Sequence, residues 1–325
     1  MADELDLLRR ANPVPCDGPH FGDGPLDHRA RRRLERLLDD RRVPPGRTPR
    51  SRLLWGLAAS AVVLGTVLTA LLGGPDGPVA VAAPRPLAVR AGSPPVPLHD
   101  LAALAAAAAA DGSPALRKGT HVQSWSLAMS DGAPPVTLPE ERIVRWRADA
   151  GHTELVVATD PRHPGRPVLT DEGGEPRPVA DGHVLSRTTY PPSWSDAPPA
   201  ARPPHTPAAL RAYLAETVRT DSLDTAGLLD ATRELLDHWT LGARESAALV
   251  RLLADVGGLR PAGQVTDRLG RPGQAYVYDA RGSRRMLILD PRTGAVLGLE
   301  TTFTEDVPQY GARAGDVEDY SAWMR

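Results

Sequence analysis

An uninterrupted run of twenty residues without a charged side chain, residues 53–72, constrains this chain more than any other feature. A helix rises about 1.5 Å per residue, so a helix over this run is about 30 Å long, which matches the hydrocarbon thickness of a bilayer. Within lipid, a helix also satisfies its own backbone hydrogen-bonding groups. Because the run is apolar on every side of the helix, a surface helix of a globular domain is disfavoured. The sequence therefore predicts one transmembrane helix.

The charged residues on either side of this run predict its orientation. Ten arginines lie between residues 29 and 52, against three acidic residues, whereas residues 73–97 contain only Arg85 and Arg90. Short arginine-rich segments stay on the cytoplasmic side of a membrane. We therefore expect a single-pass protein of the cell membrane, with a cytoplasmic N-terminus and an extracytoplasmic C-terminal domain.

A cleaved signal peptide is the alternative that the same run leaves open. Residues 80–82, Ala-Val-Ala, have the small side chains of a cleavage site. The apolar region of a signal peptide usually spans roughly 7 to 15 residues. The run in this chain is longer and the small residues lie well beyond it, which favours a retained span.

Small residues within the run bear on self-association. Gly56 and Ser60, and likewise Gly65 and Thr69, have the small-xxx-small spacing that allows two transmembrane helices to approach closely. Small residues are also common in transmembrane helices that do not pair. A homodimer through this part of the span is therefore one alternative, and a monomeric span is the other.

The remaining chain divides into three parts. Residues 1–52 form an arginine-rich cytoplasmic leader, residues 73–97 a Pro/Gly linker without periodicity, and residues 98–325 an exported domain with helical and alternating patterns. The only cysteine, Cys16, lies in the leader. The exported domain must therefore hold together by packing, without an intrachain disulfide.

The periodicity of the exported domain predicts its fold class. Helical spacing covers residues 98–110 and returns in three segments that begin at Pro207, Leu228 and Arg244. Period-2 alternation predicts strands over residues 120–129, 142–148, 153–158, 183–189, 264–268, 274–278, 285–289 and 295–303. Residues 290–294, Asp-Pro-Arg-Thr-Gly, have the composition of a tight hairpin turn. This order favours an α+β fold in which helices pack on one face of an antiparallel sheet.

The sequence contains no recognisable catalytic or cofactor motif. It lacks the Gly-rich phosphate and dinucleotide loops and the Gly-x-Ser-x-Gly elbow. No two histidines have close ligand spacing, but four of them fall in or beside predicted strands: His121, His152, His163 and His183. Two acidic pairs, Glu140-Glu141 and Asp171-Glu172, are interpreted as solvated charges in loops. We expect no metal, no cofactor and no enzymatic activity.

The most distinctive polar feature is a basic amphipathic helix predicted over residues 26–42. Its apolar stripe is surrounded by five arginines: Arg29, Arg31, Arg32, Arg33 and Arg36. This surface suits anionic membrane lipid or a groove on a cytoplasmic protein, although topology alone also requires arginines here. The net charge of −2 argues against nucleic acid as a partner.

Five segments, with the single span, carry a likeness to a known family. They are residues 4–10 (ELDLLRR), 207–214 (PAALRAYL), 247–254 (AALVRLLA), 267–273 (DRLGRPG) and 290–294 (DPRTG). Over nearly its whole length the chain resembles a family of actinobacterial single-pass membrane proteins of unknown function. Such proteins are often encoded beside an extracytoplasmic-function sigma factor, so the resemblance implies a signalling or anti-sigma-like role with a sigma factor as partner. The leader departs from helical anti-sigma domains, because it is shorter and lacks their His-x-x-x-Cys-x-x-Cys zinc pattern.

Three functional hypotheses follow from the sequence. The first is a membrane-anchored regulatory or sensing protein, whose exported domain binds an extracytoplasmic ligand and whose leader contacts a cytoplasmic partner. The second is an envelope lipid- or peptide-binding module with no cytoplasmic partner, which predicts a sizeable apolar groove against the sheet. The third is a cell-surface enzyme, which requires polar residues from separate strands to meet in a cleft.

Overall fold

Four helices and a large antiparallel sheet form the part of the protein that the structure describes. The computed structural model describes residues 84–130, 134–147, 151–172, 174–192, 201–220 and 223–325. The helices are α1 (Leu98–Ala108), α2 (Pro207–Thr217), α3 (Thr225–His238) and α4 (Ala243–Val256). The first six strands are β1 (Arg117–Ala128), β2 (Val136–Trp146), β3 (His152–Ala158), β4 (Val168–Thr170), β5 (Arg177–Val179) and β6 (His183–Tyr190). The others are β7 (Trp239–Thr240), β8 (Arg260–Thr266), β9 (Pro272–Ala280), β10 (Ser283–Leu289), β11 (Val296–Phe303) and β12 (Val317–Trp323).

The strands of the main sheet run in the order β6-β3-β2-β1-β12-β11-β10-β9-β8. Every neighbouring pair is antiparallel, β7 adds to one end of β1, and β4 and β5 form a separate hairpin. The predicted α+β class and antiparallel sheet are confirmed. The predicted turn at residues 290–294 joins β10 to β11, and Asp290 Oδ1 accepts hydrogen bonds from the N–H groups of Arg292 and Thr293.

The predictions for the N-terminal part of the chain lie outside the described residues. These comprise the transmembrane helix at 53–72, its small residues Gly56, Ser60 and Gly65, and the arginines of the leader. Among the residues that are described, no helix has the length and apolar character needed to cross a membrane.

All four helices contribute to a core on one face of the sheet. Tyr276 of β9, Leu287 of β10 and Trp323 of β12 point to this face and belong to the same buried cluster as Leu249 and Leu253 of α4. Alternation along each strand and i, i+4 spacing along each helix place these apolar side chains on the side that faces the core. Each fully buried leucine of this kind contributes roughly 1.5–3 kcal/mol relative to exposure.

Local sequence signals account for the helix ends. Pro207 occupies the first position of α2, where its missing N–H costs no hydrogen bond. The side chain of Asp224 accepts a 2.7 Å hydrogen bond from the Gly227 N–H and caps α3. Gly257 follows α4 with φ +77°, a left-handed conformation that glycine adopts without strain. The ends predicted at Pro207 and Gly257 are confirmed.

Residues 84–93, here called the strap, lie across the opposite face of the sheet. Leu87 and Val89 pack against a second buried cluster that includes Val277 and Ile288. The Leu87 N–H donates to Glu300 Oε1 at 2.8 Å. Residues 73–97 had been assigned to a linker, so the contact of the chain with the sheet begins earlier than predicted. The contact could not be predicted from the sequence, because the strap binds the sheet without forming a strand and its prolines and glycine give no alternating pattern.

A buried ion pair lies beneath the strap. Arg268 Nη2 contacts Glu300 Oε2 at 2.5 Å, with the two side chains 5% and 1% exposed. The Arg268 guanidinium also lies 5.1 Å from the centre of the Tyr320 ring. Burial raises the pKa of Glu300 above its usual value, and this outweighs the lowering by Arg268 and by the Leu87 N–H. The desolvated carboxylate of Glu300 thus bonds to both the strap and Arg268.

The strand prediction missed the short strands β4, β5 and β7, and it was also wrong in two longer strands. The pair Glu140-Glu141 was placed in a loop, but both residues lie within β2, where Glu141 contacts His121. Pro139 and the two glutamates hid the alternation of this strand. The strand β12 was missed for a similar reason, because its charged residues Glu318 and Asp319 interrupt its apolar pattern.

Candidate functional site

The sequence-predicted candidates do not form a site in the described part of the chain. The five leader arginines lie outside it, and three of the four histidines contact separate carboxylates. These contacts are His121 with Glu141 at 2.5 Å, His163 with Asp160 at 3.1 Å and His183 with Glu172 at 3.3 Å. Among the described residues, no three His, Cys, Asp or Glu side chains are grouped so as to hold a metal ion.

The fourth histidine belongs to a different arrangement, here called the aromatic row. It crosses one end of the sheet and consists of Trp239, Lys118, Trp146, His152 and Tyr190. Each member lies on a different strand, in the order β7, β1, β2, β3 and β6. Lys118 pairs with Trp239, Trp146 with His152, and His152 with Tyr190 as directly opposite cross-strand neighbours. Antiparallel pairing therefore brings together side chains that are far apart in sequence.

The rings of the row are in direct contact. The centres of Trp146 and His152 are 4.6 Å apart, and those of His152 and Tyr190 are 4.8 Å apart with an interplanar angle of 21°. Lys118 Nζ lies 3.7 Å from the centre of the Trp146 ring and 5.8 Å from that of Trp239. These are cation–π distances, so the ammonium is attracted by the negative faces of two indoles.

Exposure distinguishes the row from the core. Trp239 is buried, whereas Lys118, Trp146, His152 and Tyr190 are all partly accessible. Within the described residues the indole N–H of Trp146 has no hydrogen-bond acceptor. The row is thus a partly open aromatic surface with a fixed positive charge.

A buried charge cluster lies on the same face beside the row. Arg142 precedes Trp146 by four positions on β2, and Glu154 follows His152 by two positions on β3. Arg142 Nη2 contacts Glu154 Oε2 at 2.6 Å, and Arg142 Nη1 lies 3.9 Å from Asp237 Oδ1 of α3. One arginine is therefore shared by two carboxylates, so the cluster is net negative and sits beside the positive Lys118.

This arrangement is suited to binding. Ring edges and faces attract C–H groups and flat rings, while the charged groups beside them can accept and donate hydrogen bonds. Both carboxylates of the cluster are engaged with Arg142. The row and the charge cluster thus offer complementary surfaces for a ligand that has both apolar faces and polar groups.

A groove and a small cavity also occur in the described part of the domain, and the small cavity adjoins the row at Trp239. A groove of about 640 Å³ lies among α2, α3 and α4, and its lining includes Arg211, Leu223 and Asp255. A small cavity of about 20 Å³, enough for one water molecule, lies behind Trp239 and is lined by Trp323 and Arg325. The groove runs between helices, which differs from the apolar groove against the sheet expected for a lipid-binding module.

The sequence reasoning missed the aromatic row for a physical reason. Its members stand at strand ends, where only the cross-strand register shows that they are neighbours. The sequence does contain one signal. Lys118 is the only lysine in the chain, and all other residues of the Lys and Arg types are arginine. A compact ammonium suits a site between two indole faces.

No family model, curated protein sequence or solved structure matches this chain. The fold and the site define its class as an α+β protein with a large antiparallel sheet and four helices in its described part. The resemblance to actinobacterial single-pass proteins stays a prediction.

Proposed function

We propose that this chain is a membrane-anchored sensing protein whose α+β domain binds a ligand of the cell envelope. The apolar run at 53–72 and the arginine asymmetry around it support the anchor and the extracytoplasmic placement of the domain. The aromatic row carries the binding role, because it is the one cluster of partly open rings with a cation that the described residues contain. The leader arginines would then contact a cytoplasmic partner.

The chemistry of the row favours a saccharide-bearing ligand. A sugar ring presents polarised C–H groups that pack on the exposed parts of Trp146 and Tyr190, and hydroxyl groups that hydrogen-bond to the polar groups beside them. Lys118 adds a positive charge for a ligand carboxylate. Peptidoglycan fragments, which combine sugar rings with carboxylates, fit this description and are present where the domain is expected to lie.

Labelling of Lys118 tests the placement of the domain and the binding site together. A membrane-impermeant amine reagent should modify Lys118 in intact cells, because it is the only lysine and we place it outside. A soluble muropeptide should slow this modification in the purified protein. Tyr190→Ala should weaken the protection about 10-fold through loss of ring contacts. Peptide mapping by mass spectrometry measures the modified fraction.

The matched control is Tyr310→Ala, a tyrosine of similar exposure outside the row. It should leave the protection unchanged, and Lys118→Arg should abolish the label. Modification of Lys118 only after cell lysis would refute the proposed orientation. Equal effects of the two tyrosine variants, or no protection by the muropeptide, would refute the proposed site.

A replacement of the leader distinguishes sensing from simple binding. The variant replaces five leader arginines by lysine: Arg29, Arg31, Arg32, Arg33 and Arg36. It should stay in the membrane, because the positive charges are kept. If residues 26–42 contact a cytoplasmic protein, co-purification of that partner should fall about 10-fold, because lysine lacks the planar fork of arginine. Affinity purification of the full chain followed by mass spectrometry measures this. An unchanged set of co-purified proteins would favour the envelope-binding module, in which the leader only fixes topology.

A further inference from the structure

The strap, residues 84–93, is held largely through its main chain. The Leu87 N–H donates to Glu300 Oε1 at 2.8 Å, and Arg268 Nη2 donates to the Arg85 carbonyl at 3.0 Å. In an extended chain, the carbonyl of one residue and the N–H of the residue two positions later point to the same side. The buried ion pair of Arg268 and Glu300 therefore binds the strap as a neighbouring strand would, with one acceptor and one donor.

The edge strand β8 continues this main-chain binding. The Arg90 N–H donates to the Gln264 carbonyl at 2.8 Å, and the Gln264 N–H donates to Ser93 Oγ at 2.9 Å. Gly263 leaves the space that the strap needs, since a Cβ at this position would lie 2.6 Å from Ser93 Oγ and 3.0 Å from Val89 Cγ1. The edge of β8 thus has room for a chain segment beside it.

The side chains of the strap alternate in exposure. Leu87 and Val89 are partly buried and pack against the second apolar cluster, whereas Ala88 and Arg90 are exposed. The sequence itself does not show this alternation, because Ala88 is apolar as well. Main-chain hydrogen bonds combined with apolar contacts at every second residue are the mode in which proteins bind extended peptides at a sheet edge.

Few contacts hold the strap in place. It contributes no strand to the main sheet, and Leu87 and Val89 are the only strap side chains that pack against the second cluster. Segments with few buried apolar contacts open locally at a lower free energy than core strands do. Release of the strap therefore leaves the strand pairings of the sheet in place.

We propose that the surface beneath the strap is a peptide-binding groove in which the strap acts as an internal ligand. This strap groove comprises Arg268, Glu300, the Gln264 edge of β8 and the apolar cluster beneath Leu87 and Val89. Its partner is an extended segment of another protein with apolar side chains two positions apart, since main-chain hydrogen bonds require an extended backbone but no particular sequence. Binding of that segment displaces the strap.

The strap also determines how much chain connects the domain to the predicted anchor. In sequence it lies between the apolar run at 53–72 and the first helix of the domain. Its release adds about ten residues, or up to roughly 35 Å of extended chain, to this connection. The proposal thus adds a protein partner to the sensing role, and it does not depend on the aromatic row or its ligand.

Peptide binding to the full-length protein in detergent tests the strap groove. The probe is a fluorescent synthetic peptide with the sequence of residues 84–93. The strap of the chain itself competes at an effective concentration of the order of millimolar, so the wild-type protein should bind the probe weakly. Leu87→Ser/Val89→Ser, here called the opened variant, weakens the strap but leaves the groove unchanged. It should bind the probe at least about 10-fold more tightly, as measured by fluorescence anisotropy.

Two matched controls separate the groove from non-specific binding. Ala88→Ser/Arg90→Ser changes the exposed positions of the same segment and should bind the probe as weakly as the wild type does. A probe with an N-methyl group on the nitrogen of Leu87 keeps every side chain but cannot donate to Glu300. The opened variant should bind this probe at least about 10-fold more weakly.

Hydrogen exchange in the unmodified chain gives a second measurement that needs no variant. Unlabelled peptide at millimolar concentration should displace the strap and speed exchange at the N–H groups of Leu87 and Arg90, because the peptide then occupies their acceptors. Exchange within α4 should stay unchanged. Mass spectrometry distinguishes the strap from the added peptide by the residues that flank it in the digest.

The proposal fails if the opened variant unfolds cooperatively in urea, and is therefore folded, but binds the probe no better than Ala88→Ser/Arg90→Ser. It also fails if N-methylation leaves the affinity unchanged, or if the peptide does not change exchange at Leu87. A probe that only converts a dimer into a monomer would show that a second copy supplies the displacing segment, and would overturn the assignment to another protein. None of these measurements uses the muropeptide or Lys118, so failure of the groove is distinguishable from failure of the proposed function.

Discussion

Replacement of Glu300 by alanine should lower the free energy of unfolding by about 3–5 kcal/mol, the usual cost of removing one member of a buried ion pair. The change leaves the guanidinium of Arg268 desolvated at 5% exposure and removes the acceptor of the Leu87 N–H. The strap should therefore loosen as well. Urea unfolding of the purified full-length protein in detergent measures the free energy, and hydrogen exchange at Leu87 reports the strap.

The double variant Arg268→Met/Glu300→Leu is the control for this prediction. It removes both charges and fills the space with apolar side chains, so it should recover most of the stability lost in Glu300→Ala. The Leu87 N–H stays without its acceptor in both variants, so its faster exchange should persist. A double variant no more stable than Glu300→Ala would show that the ion pair is not the cause of the loss.

The pH dependence of this site follows from the raised pKa of Glu300. The folded protein binds the Glu300 proton more tightly than the unfolded chain does, because burial disfavours the ionised form. The stability due to this group is present below the unfolded pKa and is lost as the pH rises through the folded pKa. Acidification should therefore not destabilise the protein through Glu300, and the penalty of Glu300→Gln should grow as the pH falls, because only the wild-type protein gains stability on protonation of this group.

The fold class could be predicted from sequence because periodicity is a local property. The stripe of α4 and the turn at 290–294 each contain their own signals within a few residues. Gly294 adds a packing role that the sequence does not show. A Cβ at this position would lie 2.7 Å from the Cβ of Ala105 on α1, so the turn approaches the helices closely.

The aromatic row and the strap could not be predicted because both depend on register. Lys118 and Trp146 meet across β1 and β2, and Trp146 meets His152 across the next pair. A shift of one residue in either pairing would send these side chains to opposite faces. Leu87 and Glu300 are more than two hundred residues apart, and no local pattern links them.

Asp267 explains why the segment 267–273 has its particular sequence. Its Oδ1 atom accepts hydrogen bonds from the N–H groups of Leu269 at 3.0 Å and Arg271 at 2.7 Å, which closes the turn between β8 and β9. Its Oδ2 atom contacts Arg271 Nε at 2.6 Å. The guanidinium of Arg271 in turn donates to the carbonyls of Trp323 and Leu297, at 2.7 Å each. One buried carboxylate thereby orients an arginine that joins the turn to β11 and β12.

Asp267→Ala should therefore lower the free energy of unfolding by about 3 kcal/mol, since it leaves two N–H groups of the turn without acceptors and Arg271 without its counter-charge. Asp267→Asn keeps an oxygen at Oδ1 and should retain the turn, so its loss should be about half as large. Thermal and urea unfolding of both variants in detergent measure the difference. Equal losses would assign the effect to the charge on Asp267, whereas a fully stable alanine variant would show that Arg271 holds its position through the two carbonyls alone.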